Sequence, residues 1–422
     1  MPSYNGKRRY TYLRRLRYPA GVVTLLALAA LAACGGYIED PLLPDESGAE
    51  NCGDGVCDDD EQGACLADCS RGDSTACGQG ALTIEGGGVS LQSWDFAWDT
   101  EDSGYSLLSQ PIVIAVPDDV SALTVSIEHR GETTGFDRVT FNDVIVATSY
   151  EEPALTVFDG DSYVATLLMP NNERTRLTEG CLYVEPYANG SFSGEEFTVT
   201  VGMRRGSPGT TLGLNIAIIG GTEITDAEIE AAINVVDAIY SGGGAPAIGA
   251  VDLYEVEGPS VVDAEGTELD DIRAASYDSP DRINIILVSS FTESGTLGIA
   301  SGIPAPPFSG TASSGLVIAV DEHLNADGTA LDTQMLGETI AHELGHMMGL
   351  FHTTEAEGGE YDVIADTARC PDDADDGDGE FTAEECADYD GRNLMFWTAG
   401  EFSQTQLSSV QAEILRAYLL SQ

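Results

Sequence analysis

The chain of 422 residues is too long for one ordinary domain, and its 42% hydrophobic content supplies material for more than one buried core. Its 71 acidic residues against 18 basic ones give a formal charge of −53. Such a field repels phosphate backbones and anionic lipid while gathering cations, which argues against nucleic acid as a partner.

No acid occupies residues 1–33, and Lys7, Arg8, Arg9, Arg14, Arg15 and Arg17 precede the apolar run AGVVTLLALAALAAC. A basic stretch followed by an apolar run short for a bilayer-spanning helix reads as an export signal over 1–33. Its end, Leu31-Ala32-Ala33-Cys34, resembles the bacterial lipobox. That resemblance implies acylation of Cys34 and a lipid tether to the cell envelope, at the outer membrane or cell surface, with no spanning helix. Cleavage before another small residue, with Cys34 incidental, is the plainer alternative. Setting Cys34 aside from the nine cysteines leaves an even number, which suits disulfides outside the cytoplasm.

Residues 34–50, rich in Gly, Pro and acid, read as a flexible spacer. Residues 51–75 carry Cys52, Cys57, Cys65 and Cys69 in a unit too short to fold by apolar burial, so two disulfides among these four are expected. The unit resembles small CGDGxC modules of bacterial surface proteins and, more loosely, the calcium modules named for Lin-12 and Notch. Asp54, Asp58, Asp60 and Asp68 suit calcium, and they suit a solvated acidic knot with no ion equally well. From 77 to 205 the signal is alternation in short runs: VSLQSW, PIVIAV, ALTVSIEH, RVTFNDVIVA, YVATLLMP, CLYVEPYA and FTVTVGM. Separated by Gly, Asn, Asp and Pro, these predict an all-β sandwich, with Cys77 at its start expected to pair with Cys181 near its end. GSPGTT (206–211) reads as a linker.

After the linker, strands and helices alternate. LNIAIIGG is a strand, and Thr225 with Glu228 forms a capping box for a helix that sets Ile229, Ala232, Ile233, Val236 and Ile239 on one face. VDLYEV and RINIILVSSF follow as strands, with a short helix around Leu269 to Ala275, and then come LGIASGIP and GLVIAV. Residues 212–422 therefore read as an α/β unit with a mostly parallel sheet.

Within that unit AHELGHMMGLFH (341–352) holds three of the five histidines. On a helix opening at Asp332 or Thr333, His342 and His346 lie one turn apart on the same face, and Glu343 stands beside them. Gly349 suits the left-handed residue that ends a helix, turning the chain so that His352 approaches from another direction. Three nitrogen ligands with one open position describe a catalytic zinc site. His129 and His323, isolated in sequence, read as core histidines.

HELGHMMGLFH matches HExxHxxGxxH and so resembles the signature of the metzincin zinc peptidases, and NLMFW supplies Met395 where that family has its methionine turn. GLFHTTE, DVIADT (Asp362 to Thr367) and FSQTQ (Phe402 to Gln406) are similar to segments of the pappalysin, or cytophagalysin-like, branch. The resemblance covers about residues 212–422. It implies a twisted, mostly parallel sheet, an active-site helix, zinc on His342, His346 and His352, and Glu343 as general base. It also implies hydrolysis of extracellular or cell-surface protein and peptide substrates laid along an edge strand, which points to LGIASGIPAPP. Cys370 and Cys386, in the insertion before the methionine turn, look like a disulfide holding that loop.

Two departures stand out: Trp397 occupies the place of a frequent tyrosine after the turn methionine, and Thr354 replaces an aromatic residue, which is expected to alter the cleft wall. Pappalysin relatives can carry structural calcium, and Asp373, Asp375 and Asp378 in CPDDADDGDGEFTAEEC suit one; no register satisfies the full EF-hand pattern, and a solvated acidic loop competes. Metzincins are often held latent by a pro-segment, sometimes through a cysteine, which here would require Cys77 or Cys181 to be free. A surface binding or adhesion protein, in which the peptidase fold survives without useful activity, is the second function class; Trp397 and the unexplained N-terminal half leave it open.

Overall fold

The computed structural model describes residues 5–10, 72–98, 106–129, 134–148, 164–189, 196–264, 266–274, 281–293, 295–308, 311, 313–325 and 327–422. Most of the stretch read as an export signal, Cys34, the stretch read as a spacer, and Cys52, Cys57, Cys65 and Cys69 with the acids among them lie outside the described residues.

Asn5–Tyr10 forms β1. The alternating runs then form β2 (Val89–Ala97), β3 (Ser106–Leu108), β4 (Ile112–Val116), β5 (Val120–Glu128), β6 (Thr134–Phe141), β7 (Val144–Thr148), β8 (Val164–Met169), β9 (Gly180–Asn189) and β10 (Glu196–Arg205). One antiparallel sheet is ordered β2-β10-β5-β8, and a second β3-β9-β6-β7, with β4 also on β9. Val125, Ile127, Leu167, Val199 and Val201 from the first meet Ile114, Val139, Phe141, Leu182 and Val184 from the second in one apolar core. Cys77 and Cys181 are joined by a disulfide. RVTFNDVIVA, a single run in sequence, is a hairpin, because Asn142 (φ 47°) and Asp143 (φ 69°) take the left-handed conformation that a two-residue turn needs. Asn142 is held there by its side chain, which accepts from the Cys181 N–H at 2.8 Å and donates to the Glu179 carbonyl at 3.1 Å.

The rest of the chain forms β11 (Thr211–Ile219), α1 (Asp226–Gly243), β12 (Ala247–Val256), β13 (Val261–Val262), α2 (Thr267–Ala274), β14 (Ile283–Val288), β15 (Ser290–Phe291), β16 (Gly298–Ala300), β17 (Leu316–Ala319), α3 (Thr333–Met347) and α4 (Ser409–Ala417). The main sheet is ordered β1-β12-β11-β14-β17-β16. Its inner pairs β12-β11-β14-β17 are parallel, whereas β16 and β1 run antiparallel at the two edges. β1 belongs to the stretch read as an export signal, so a cleaved chain ends this sheet at β12.

Continuous apolar strands such as INIILV bury both faces, as parallel sheets require. On one face α1, α3 and α4 pack through Ile229, Ile233, Val236, Leu336, Ile340, Leu344, Ile414 and Leu415 onto Leu214, Ile216, Ile285 and Ile318. On the other, Leu269 and Ile272 of α2 meet Ile286, Val288 and Val317. The Thr225/Glu228 capping box opens α1, with the Thr225 N–H donating to Glu228 at 2.8 Å.

The two units are not separated by a free linker. Gly209 lies so close to the Ser421 backbone that no Cβ fits, and its N–H donates to the Arg416 carbonyl at 2.9 Å. Arg204, 5% exposed, donates to the carbonyls of Tyr418 (3.1 Å), Leu419 (3.0 Å) and Ser421. β8 serves both cores, since Leu167 faces the sandwich and Leu168 packs with the residues under α3. Among the described residues no helix is long and apolar enough to cross a membrane.

Candidate metal centre

Helix α3 opens at Asp332, whose carboxylate accepts from the N–H groups of Gln334 (3.0 Å) and Met335 (3.1 Å). It closes at Gly349, whose φ of 105° disfavours any residue with a Cβ. The Leu350 N–H folds back on the Gly345 carbonyl at 2.9 Å, and the reversal carries His352 to the face that holds His342 and His346. Each of the three offers a nitrogen within 4.8 Å of the others. His346 is 7% exposed, and His342 and His352 are partly buried.

The other ring nitrogens fix the tautomers. His342 Nδ1 donates to the Leu394 carbonyl (2.7 Å), His346 Nδ1 to the Leu350 carbonyl (2.8 Å), and His352 Nδ1 to the Glu355 carboxylate (2.9 and 3.0 Å). Carbonyl and carboxylate oxygens only accept, so each Nδ1 carries a proton, which in a neutral ring leaves the lone pair on Nε2. Burial pushes the His342 pKa down to about 3, with His352 adding to it, and burial takes His346 well below its ordinary value. Both rings are therefore neutral near pH 7, the form that binds metal.

The Nε2 atoms of His346 and His352 stand 3.0 Å apart. In two neutral rings the lone pairs at that distance repel unless a cation lies between them. Zinc bonds imidazole at about 2.0–2.1 Å, and two such bonds at a tetrahedral angle separate their nitrogens by about 3.3 Å. The donor set and its spacing thus fit a divalent ion of zinc's size.

Glu343 is 8% exposed, and burial pushes its carboxyl up to about 7 against the opposing pull of His352, the Ala300 N–H and Arg273. Edge strand β16 lies directly against it, because a Cβ on Gly298 would sit 2.8 Å from Glu343 Cγ. Beneath the helix, Met395 is fully buried, and a Cβ on Gly345 would lie 2.5 Å from its sulfur. The turn around Met395 touches both ends of the ligand set: the Leu394 carbonyl holds His342, and the Met395 carbonyl accepts from the Thr353 N–H at 2.9 Å.

Segments singled out in the sequence brace this turn. Gln406 pairs through its backbone with Arg392 and Leu394, while Gln404 Nε2 donates to the carbonyls of Gly391 (3.0 Å) and Thr398 (2.9 Å). Asp366 accepts from the Ser409 hydroxyl (2.6 Å) and the Val410 N–H (3.1 Å) at the start of α4, and Asp362 accepts from the Thr367 hydroxyl at 2.6 Å.

The two departures each take a defined place. Thr354 is fully buried, donating to Asp390 (2.6 Å) and accepting from the Cys370 N–H (3.2 Å). The Trp397 indole donates to the Phe381 carbonyl at 2.5 Å, which ties the turn to the disulfide-bonded acidic loop. That loop is closed by Cys370–Cys386. It brings Asp375 and Asp378 together with Asp376, whereas Asp373 sits apart in an exposed turn. Asp375 accepts from the N–H groups of Gly377 (2.8 Å) and Gly379 (3.3 Å), so hydrogen bonds within the loop already account for much of its conformation.

His323 is fully buried between the Ala319 carbonyl (2.8 Å) and the Thr339 hydroxyl (2.9 Å), and His129, 2% exposed, packs edge-on to Trp98. Neither joins the cluster. The Cys77–Cys181 disulfide leaves neither sulfur free to occupy a metal. The sequence reading missed Glu355, Gly298 and Arg273. Glu355 had a signal, a carboxylate three residues after a ligand histidine, while the others became visible only with the edge strand in place.

No family model matches the chain, and no curated protein matches it. Among solved structures it is similar to metalloproteinase-II from Bacteroides fragilis at 14% identity and a TM-score of 0.29, over 52% of this chain and 62% of that one. A second likeness, at 13% identity and a TM-score of 0.16, is to the catalytic unit of a thermostable GH87 alpha-1,3-glucanase from Streptomyces thermodiastaticus, over 48% of this chain and 39% of that one. A third, at 11% identity and 0.15, is to IMPa from Pseudomonas aeruginosa in complex with an O-glycopeptide, over 69% and 33%. These scores are too low to bear on function, which rests on the geometry of the site.

Proposed function

We propose that the chain is a zinc-dependent endopeptidase of metzincin type, in its finer assignment pappalysin-like. The observation that carries this reading is the pair of Nε2 atoms 3.0 Å apart, completed by His342 and flanked by the buried Glu343 carboxylate. Zinc held by the three imidazoles would supply a bound water acidified to a pKa of about 7 and a Lewis acid for the scissile carbonyl.

The protein's own groups do the rest. β16 offers an open antiparallel edge on which an extended peptide pairs through its main chain, so binding is largely indifferent to side-chain sequence. Glu343, whose burial raises its proton affinity toward neutrality, takes the proton of the attacking water and passes it to the departing amine. Leu394, Leu350 and Glu355 keep the three imidazoles aimed while this happens.

The test is cleavage of a mixed-sequence peptide library by the purified chain and by its Glu343→Ala variant, with zinc measured in both. Equal zinc content is expected, with cleavage in the variant lower by at least about 100-fold, and a chelator should abolish cleavage by the intact chain. The reading fails if the zinc-loaded chain cleaves nothing that the variant does not.

A further inference from the structure

Arg273, near the end of α2, is only 7% exposed, although α2 needs no charge to pack: Leu269 and Ile272 already fill its contact with the sheet. A buried guanidinium is costly unless it is paired. Its Nη2 donates to the Ala300 carbonyl at 3.3 Å and, more weakly, to Ile299 at 3.5 Å, and its charge is attracted to Asp270 and Glu343. The residue comes from the sheet face opposite α3 and yet acts on the strand that lies against Glu343.

The register shows which side of that strand it holds. The Leu297 carbonyl accepts from the Ala319 N–H at 3.0 Å, and Ile299 pairs with Val317. Polar backbone groups alternate sides along a strand, so the N–H and C=O of Ala300 face the open edge. Its C=O accepts from Arg273, and the neighbouring Gly298 packs against Glu343, where a Cβ would sit 2.8 Å from Glu343 Cγ. A carbonyl has two lone pairs, so Ala300 can accept from Arg273 and from a substrate N–H together.

We propose that Arg273 is a positioning residue for the substrate-binding edge, clamping β16 through the Ala300 carbonyl where the strand passes Glu343, so that an extended peptide meets a pre-set strand. The inference rests on the peptidase reading and adds to it a residue that touches no metal ligand.

The test compares the whole chain with Arg273→Met and Arg273→Lys, by amide hydrogen exchange and by cleavage of an extended decapeptide. In Arg273→Met, exchange at residues 298–301 should quicken and KM rise about tenfold while kcat moves by less than about threefold and zinc content stays at the wild-type level. Arg273→Lys, which keeps the charge but loses the planar fork, should fall between the two in both readouts. Wild-type exchange and KM in both variants overturn the proposal, as does loss of zinc and thermal stability without an exchange change centred on 298–301. Should Arg273→Met not fold, Arg273→Lys decides alone, with wild-type values counting against the clamp. If the wild-type chain cleaves no peptide, the peptidase reading falls, while exchange at 298–301 still decides whether Arg273 holds the strand.

Discussion

At the scale of single residues, the histidine cluster is defined by what its non-ligating nitrogens touch. His342 and His346 donate to backbone carbonyls, which no side-chain substitution removes; His352 alone leans on a side chain, Glu355. Burial raises the Glu355 carboxyl, and the hydrogen bond from His352 with the field of the histidines outweighs it and holds the group below its ordinary value. Glu355→Ala is therefore expected to weaken zinc binding about 10–100-fold, read by competition with a coloured chelator, while leaving the fold intact. Unchanged affinity would show that His352 keeps its aim without the carboxylate. His342 and His346 were legible as a pair because helix geometry turns a four-residue spacing into a shared face. Trp397 was not, because its partner, the Phe381 carbonyl, lies in a loop whose path depends on the Cys370–Cys386 bond.

At the scale of elements, α3 is a compromise between propensity and packing. Gly337 and Gly345 both sit inside the helix, where each costs about 1 kcal/mol relative to alanine. A Cβ on Gly337 would lie 2.5 Å from Val235 Cβ and 2.6 Å from the Ala232 carbonyl of α1, and one on Gly345 would meet the Met395 sulfur. Gly345→Ala should therefore lower the melting temperature despite its better helix propensity, and it should lower zinc content too, because displacing the methionine turn withdraws the Leu394 carbonyl from His342. Thermal melts with and without zinc check this; a variant at least as stable as the parent in both would contradict it. Long periodic elements such as α1 were readable from sequence, as was Gly349 at the helix end. Strand β3 was not, since three residues carry no period, and the Asn142-Asp143 hairpin hid inside what read as a single run.

At the scale of the whole molecule, the sandwich and the α/β unit that carries the histidine cluster share an interface that the Gly/Pro-rich 206–211 segment did not announce. Arg204 spans it, supplying a buried charged donor to three carbonyls near the C-terminus, and Leu168 approaches Gly349, where a Cβ would lie 3.1 Å from its side chain. Arg204→Ala leaves those carbonyls without their donor and is expected to cost about 2–3 kcal/mol. By calorimetry the parent should melt in one transition and the variant in two, or in one at distinctly lower temperature; melting identical to the parent would mean that the units are stabilised independently. The sequence by itself determined the donor types and the spacing that sets His342 and His346 on one helical turn, because these depend on local geometry; the scarcity of cysteine in each unit pointed to the two disulfide pairs seen in the structure. Only the tertiary structure decided which oxygens hold each imidazole, that β16 with Arg273 lies at Glu343, and that the front half packs behind the helix end. Those contacts join residues far apart in the chain, and they follow from how buried surfaces fit, which no local pattern encodes.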